Sequence, residues 1–404
     1  MKFRTSLLFL PLAIGCAPAD TTPEHYAFVA LLGRDTVSVE RVAHSRRRLV
    51  SDIVDRFPFV RLRHTEFDLT DDGRLRKMVM DIRTPNGKTP AERGRQVSAE
   101  FTNDGVKVSI RDSAGVHDTS FTAKNAIIVP HVSMMYSVIE LEVAAALRRA
   151  AATGVKAGDS VQFRQFYPDR NIGRTFALHE GFVHPRDSGR VELRHDWLSG
   201  TGDLTVDSTG RLLTYSGART TYQVSVRRST DTPDIAAIGS RFAAAEASAG
   251  PNQLSVRDTA RATIGSTSFS IDYGRPLARG RVLLGNVIPF DYVWRTGANA
   301  ATQFTTSTPI TLAGLKLPAG MYTLWTIPRL TGIELVVNTQ TGQWGTGYDK
   351  SKDLGRAPLK IEALKDTVEK FTMAVEPKDV QHGMLSLSWG TFRWTAPIVT
   401  SPSR

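Results

Sequence analysis

The chain has 404 residues and a single cysteine. One thiol excludes a disulfide framework and any metal site assembled from several cysteines. Long apolar runs are missing too: beyond Ile14 no stretch approaches the roughly 18 uninterrupted apolar residues that a membrane-spanning helix needs. H-E-x-x-H, G-x-S-x-G and P-loop patterns are absent, which removes the commonest local signatures of zinc peptidases, serine hydrolases and nucleotide-dependent enzymes. No cofactor fingerprint is present, so no cofactor is expected. Gly and Pro number 32 and 20, an ordinary usage that rules out a collagen-like or low-complexity chain. A folded protein with two cores follows from the length.

What is abundant is basic charge. Lys and Arg outnumber Asp and Glu by 51 to 40, a formal charge of +11 that favours anionic partners. The basic-aromatic spacing of nucleic-acid modules is not found, so nucleic acid is not expected. Met1-Lys2-Phe3-Arg4 and the apolar run from Thr5 to Ile14 have the form of an export signal. Ala13-Ile14-Gly15-Cys16 resembles a bacterial lipobox, with Ala13 where Leu is usual. That resemblance implies that residues 1–16 are a lipoprotein-type signal segment, that Cys16 is lipidated, and that membrane lipid is a partner through the anchor. The expected location is the cell envelope, lipid-anchored and periplasm-facing or in the outer membrane. Ala17-Pro18-Ala19 offers the alternative of ordinary cleavage and secretion.

Residues 24–229 alternate apolar and polar side chains in short runs separated by turn chemistry, as at Gly33-Arg34-Asp35 and Asp71-Asp72-Gly73. The pattern predicts a mainly β fold, here a curved antiparallel sheet. Arg46-Arg47-Arg48 falls inside a strand-like run and reads as a solvated sheet edge. A further strand is expected from Thr220 to Val226. Val132–Ala152 has helical spacing between Pro130 and Gly154, so one amphipathic helix packs on the sheet. This element order, with turn phrases such as Asp207-Ser208-Thr209-Gly210-Arg211-Leu212-Leu213, resembles the half-barrel of bacterial lipoprotein carriers. The resemblance implies an apolar groove lined by Met134, Tyr136, Phe163, Phe176 and Trp197; the competing reading is a filled core. His179, His184 and His195 invite a metal reading. Residues 179 and 184 face opposite sides of a strand, however, and no carboxylate recurs at ligand spacing, so no metal site is expected.

Residues 230–253 lose the alternation and read as a linker with a short helix from Ile235 to Ala247. Strand patterning resumes over residues 254–400. There Tyr273-Gly274-Arg275-Pro276, Val293-Trp294-Arg295-Thr296-Gly297-Ala298-Asn299, Leu317-Pro318-Ala319-Gly320-Met321-Tyr322-Thr323-Leu324-Trp325-Thr326-Ile327-Pro328 and Thr341-Gly342-Gln343-Trp344-Gly345-Thr346-Gly347-Tyr348-Asp349 follow in order. In these phrases the segment resembles the bacterial family called domain of unknown function 2911, which implies a compact all-β domain; a β-sandwich is expected. The guanidiniums of Arg275, Arg279, Arg281 and Arg295 crowd into loops and strand ends together with Asn299. Converging forks of this kind hold a carboxylate or phosphate bidentately, and Trp294, Trp344 or Tyr348 would supply a stacking wall. The competing reading buries Arg295 against Asp272 or Asp291 as a structural pair.

The expected function is non-enzymatic binding of an anionic or amphiphilic envelope component, such as an anionic lipid, lipopolysaccharide or an acidic glycan. The rivals are a hydrolase of an envelope glycan or other polymer, which needs paired acids, and a structural or assembly lipoprotein that binds another protein. Intact-mass analysis of the purified protein is expected to show a diacylglycerol-bearing Cys16 at the amino terminus; a free thiol there, or a chain starting at Asp20, would rule out the anchor.

Overall fold

The computed structural model describes residues 22–57, 59–155, 159–168, 178–195, 200–220, 222–250 and 254–400. Cys16, Phe176 and Trp197 lie outside them. Among the described residues no helix is long and apolar enough to cross a membrane.

Fifteen strands form the first sheet: β1 (Glu24–Leu32), β2 (Asp35–His44), β3 (Arg48–Asp55), β4 (Arg61–Leu69), β5 (Leu75–Arg83), β6 (Gly94–Thr102), β7 (Gly105–Asp112), β8 (Gly115–Thr122), β9 (Ile128–Pro130), β10 (Val161–Phe166), β11 (His179–Pro185), β12 (Arg190–His195), β13 (Thr201–Val206), β14 (Leu212–Ser216) and β15 (Ser225–Ser229). Two meanders join where β1 pairs with β15, giving the order β8 to β1, then β15 to β9. All pairs are antiparallel except β9 with β10, which the helix α2 (Tyr136–Thr153) connects. The sheet is open, with β8 and β9 at its edges.

Alternation breaks down where the turns decide. The Arg46 run is a hairpin turn, not an edge: Ser45 N–H bonds Arg48 O at 2.8 Å, and Arg47 forks onto Asp71 at 2.7 and 2.8 Å. The strand expected from Thr220 starts later, at Ser225, because Thr220 closes a turn onto Gly217 O and Gln223 takes φ 52°. The helix starts at Tyr136 rather than Val132, since Met134 has φ 65° and Met135 N–H turns back to Val132 O.

The sheet curls around α2, which touches both of its halves: Arg148 donates to Gly73 O, Arg149 to Asn125 O, and the helix packs on β9, β10, β11 and β14. Val138, Leu141, Val143 and Ala146 join one continuous core with Phe28, Phe67, Val97 and Phe166. The first two turns of the helix, Tyr136 to Val143, are buried on every side and leave no solvent face for their polar groups, while Arg148, Arg149 and residues 151–153 at the other end are exposed. Its amino end has no side-chain cap from Met135, and Glu40 of β2 takes that place, accepting from Tyr136 N–H at 2.7 Å, Ser137 N–H at 3.2 Å and Ser51 Oγ at 2.6 Å. Glu140 accepts from Tyr26 Oη at 2.5 Å and Leu212 N–H at 3.0 Å. Glu142 is fully buried; burial pushes its carboxyl up, but His131 and His195 outweigh that and hold it below the ordinary value.

The helix of the expected linker, α3 (Ile235–Ala249), is docked. Asp234 caps it, and Ile235, Ile238 and Phe242 pack on Val39, Val54 and Val60 of the sheet's outer face. The α1 turn (Pro90–Arg93) is a four-residue capping-box element.

The second unit contains β16 (Ser255–Ile264), β17 (Thr267–Pro276), β18 (Thr302–Thr306), β19 (Ile310–Leu312), β20 (Leu315–Leu317), β21 (Gly320–Arg329), β22 (Gly332–Asn338), β23 (Asp353–Pro377) and β24 (His382–Thr400), ordered β16-β17-β18-β21-β22-β23-β24-β19-β20. Register breaks after Ala363 and Val368 bend β23, so that its far half lies over β16 and β17. The Tyr273 hydroxyl accepts from Met373 N–H across the layers, over a core of Phe304, Phe371, Trp389 and Trp394. This is the expected two-layer β domain.

Burial pushes the Glu40 carboxyl above its ordinary value, an effect that its hydrogen bonds only partly offset. Between the ordinary and the raised value the folded chain therefore keeps a proton that the unfolded chain has released, and Glu40's contribution to stability falls as pH rises from about 4.3 through the raised folded value, above which the cap is a carboxylate. Urea unfolding of the wild type and Glu40→Gln is expected to show the wild type losing ground to the variant as pH increases from about 4 to 7. A gap independent of pH would contradict a desolvated carboxylate.

Candidate functional site

A cleft of about 460 Å³ lies between the two units. Leu32, Tyr222 and Gln223 come from the first, and Arg279, Arg281, Trp294, Arg295, Asn299, Trp344 and Trp389 from the second. Five of the seven residues expected from sequence to bind a ligand thus meet at one place: Arg279, Arg295, Asn299, Trp294 and Trp344.

The first wall is made by the β1–β2 turn. Gly33 has φ +61°, and a Cβ there would lie 2.3 Å from Arg279 O, so the turn can close on the second unit only with glycine. Arg34 N–H bonds the same carbonyl at 3.2 Å, while Arg279 Nε donates to Asp35 at 2.8 Å and Nη1 to Leu254 O at 3.3 Å. Arg281 is used up as a clamp: its three nitrogens donate to Ala278 O, Leu277 O and Gln223 Oε1. Burial and the neighbouring Arg279 push its pKa down to about 10. Gln223 in turn donates to Val287 O at 3.0 Å.

The opposite wall is the loop between β17 and β18. Trp294 pairs its backbone with Thr326, and its ring stacks on Trp389 at 5.9 Å and 7°. Thr296 and Asn299 take φ 50° and 63°, which folds the loop tightly over Gly274, where a Cβ would meet Ala298 O at 2.1 Å. Gly345 N–H bonds Asn299 O at 2.9 Å, and a Cβ on Gly345 would lie 2.1 Å from Arg295 Cδ. Gly345 therefore leaves the space along which Arg295 runs, and Gly274 lets the loop close over it.

Arg295 differs from the other guanidiniums of the cleft. Its Nε is buried with no hydrogen-bond partner, no acid among the described residues pairs with it, and burial alone pushes its pKa down. The structural pair that the sequence also suggested does not form, because Asp272 is held by Arg257 at 2.9 Å and Asp291 by Arg329 at 3.0 Å. Arg295 is thus a part-buried cation with no counter-ion, and its enclosed Nε lacks the hydrogen bond that buried polar groups normally have. Trp344, at 59% exposure, stands beside it at the cleft wall.

Two expected ligand residues do not reach the cleft. Arg275 is spent on Asp258 at 2.7 Å, Phe371 O at 3.0 Å and Thr372 Oγ1 at 2.7 Å. The Tyr348 hydroxyl donates to Asp353 at 2.7 Å, its ring leans on Trp325, and burial together with Asp353 raises its pKa to about 12. Of the expected apolar groove, Met134, Tyr136 and Phe163 are buried within the sheet's core, with the Tyr136 ring between Phe28 and Tyr215. Phe163 also lines a larger cavity, of about 770 Å³, beside Lys124, Arg149 and Arg164. There both guanidiniums are engaged, by Asn125 O and Glu180, whereas the Arg295 Nε in the smaller cleft has no hydrogen-bond partner among the described residues. The three histidines do not gather either; His195 instead meets His131 and a carboxylate, Glu142, that no local spacing signals. Leu32, Tyr222, Gln223 and the clamp residue Asp35 escape sequence reasoning because they belong to the other unit.

Gly33→Ala and Asp35→Asn are each expected to destabilise the full chain by about 1–3 kcal/mol, the first by pushing the turn off Arg279 and the second by leaving a buried guanidinium short of its carboxylate. Denaturant unfolding measures this, and unchanged midpoints would contradict the contact.

No curated protein matches the chain. A solved structure of a DUF1089 family protein from Pseudomonas aeruginosa is similar at 14% identity and a TM-score of 0.34, covering 46% of this chain and 93% of that one. Residues 255–398, the unit that supplies Arg279, Arg295, Asn299, Trp294 and Trp344, match the family described as "Protein of unknown function (DUF2911)".

Proposed function

We propose that this protein is a lipid-anchored component of the cell envelope that holds an anionic ligand between its two units without transforming it. The observation that carries this reading is the part-buried Arg295 guanidinium at the cleft, its Nε enclosed without a hydrogen-bond partner and with no carboxylate pairing with it among the described residues. A ligand carboxylate or phosphate would supply the missing counter-charge through a charge-assisted fork, with the Asn299 amide free to donate and accept beside it. Trp344 and Trp294 offer faces to a sugar ring, and a cavity of about 460 Å³ is of a size to take a small head group or one to two sugar residues. These features favour an acidic glycan, or the head group of an anionic lipid or lipopolysaccharide. The anchor at Cys16 would keep the cleft near such material.

The hydrolase reading has less to stand on. Asp272, Asp291, Asp349 and Asp353 are engaged by Arg257, Arg329, Ser351 and Arg356 respectively, and none of them lines the cleft.

Titration with digalacturonate and, separately, with phosphatidylglycerol vesicles, followed by tryptophan fluorescence, is expected to give a saturable change with one of them. Arg295→Met should weaken it at least about tenfold, the equivalent of one charge-assisted pair, while leaving the melting temperature unchanged or higher. Equal binding by wild type and variant would refute the site, as would a lowered melting temperature with binding retained.

A further inference from the structure

Four buried polar side chains converge under α2, and none belongs to the cleft. His131 follows β9 directly and is held there by its N–H to Phe166 O at 2.8 Å. Glu142 comes from α2, Gln165 from β10 and His195 from the end of β12, and each is at most 5% exposed. One ligating atom from each of His131, Glu142 and His195 lies within 4.8 Å of the other two.

The distances suit a shared cation better than direct hydrogen bonds. His195 Nε2 is 3.4 Å from Glu142 Oε2, and His131 Nδ1 is 3.8 Å from Glu142 Oε1, both beyond the usual 2.7–3.2 Å range. Tetrahedral ligands about 2.1 Å from a metal stand about 3.4 Å apart. The Gln165 amide occupies the middle: Nε2 is 2.6 Å from Glu142 Oε1 and 3.4 Å from each imidazole nitrogen. One NH₂ group has two protons for these three acceptors, and Gln165 Oε1 is left buried with no partner. Turning the amide over would aim that oxygen inward, and drawing it back from 2.6 Å to about 3.4 Å from Glu142 Oε1 would make it a fourth donor.

The geometry points to a divalent transition-metal centre formed by His131 Nδ1, His195 Nε2 and the Glu142 carboxylate, with Gln165 Oε1 completing the shell. Two imidazoles and hard oxygen donors suit Zn²⁺, Fe²⁺, Mn²⁺ or Co²⁺, and the absence of thiolate disfavours Cu⁺. The ligands come from four segments spread over residues 131–195, so a bound ion would tie α2 to three strands of the sheet and stabilise only the folded chain.

The test uses the full chain, stripped with a chelator and titrated with Zn²⁺ against a chromophoric competitor. One ion per chain, bound more tightly than micromolar and raising the melting temperature, is the expected result. Glu142→Gln and His195→Gln should each weaken it at least tenfold. His64→Gln and His382→Gln, which alter the exposed His64–Asp52 and His382–Asp379 pairs, should leave it unchanged. X-ray absorption of the Zn²⁺-loaded wild type reads the shell without any variant, and two imidazoles plus oxygen donors are expected. Substoichiometric binding, loss of binding on changing the exposed histidines, full binding by Glu142→Gln, or an all-oxygen shell would overturn the proposal.

Discussion

The first unit depends on how a helix can be held inside a sheet. An enclosed helix cannot leave the N–H groups of its first turn to water, and unsatisfied polar groups there cost roughly 1–3 kcal/mol each. Glu40 solves this from the neighbouring strand, presenting a carboxylate to Tyr136 and Ser137 N–H where the helix dipole is positive. That contact fixes both the height and the rotation of α2. Once it is set, Glu140 can only face Tyr26 and Leu212, and Glu142 only His131, His195 and Gln165. Three glutamates are thus buried for one reason, and the third stands in the polar cluster that the fold would otherwise have no cause to build.

The second unit uses arginine in a different way. Arg275 satisfies Asp258, Phe371 O and Thr372 Oγ1, Arg281 satisfies two carbonyls of its own loop and reaches Gln223 of the first unit, and Arg279 spans to Asp35. Each is thereby converted from a charge into a brace. Arg295 is spared this role because Gly345 and the left-handed turns at Thr296 and Asn299 lead its side chain down a channel with no acceptor. The structural arginines hold the walls at a distance that leaves room for the unpaired one.

The sequence made some of this legible. Hairpins at Gly33 and at Asp71-Asp72-Gly73, the helix ending at Gly154 and the change at Ser255 are all local signals, written in turn chemistry and periodicity. The loop arginines were legible as a group, since packing alone would not place so many in so few positions. Which of them is free was not, because that depends on Asp258, Asp35 and Gln223, from strands and loops distant in the chain. Buried Glu140 and Glu142 were invisible for another reason. Helical periodicity assigns polar residues to a wet face, and the first two turns of this helix, buried on every side, have none. The cluster of residues 131, 142, 165 and 195 has no spacing to detect, since its members approach only when two meanders close around the helix.

One strand links the two regions. On β2, Ser38 and Glu40 point inward, with Ser38 donating to Met134 O and Glu40 holding the start of α2, while Val39 between them faces α3. At the head of the same strand Asp35 grips Arg279 across the cleft. Five residues at about 3.3 Å per residue place the two α-carbons about 17 Å apart on a strand paired with β1 along its length, with a register shift between Thr36 and Ser38, and with β3 from Ser38 onward. The interdomain clamp and the helix cap are thus carried by one continuous strand, paired on both sides where it holds the cap. The packing of α3 on Val39 and Val54 braces it from outside. The separation between the cleft and the polar cluster is therefore a property of the sheet itself, and a substitution at either end of β2 acts on a geometry that the other end shares.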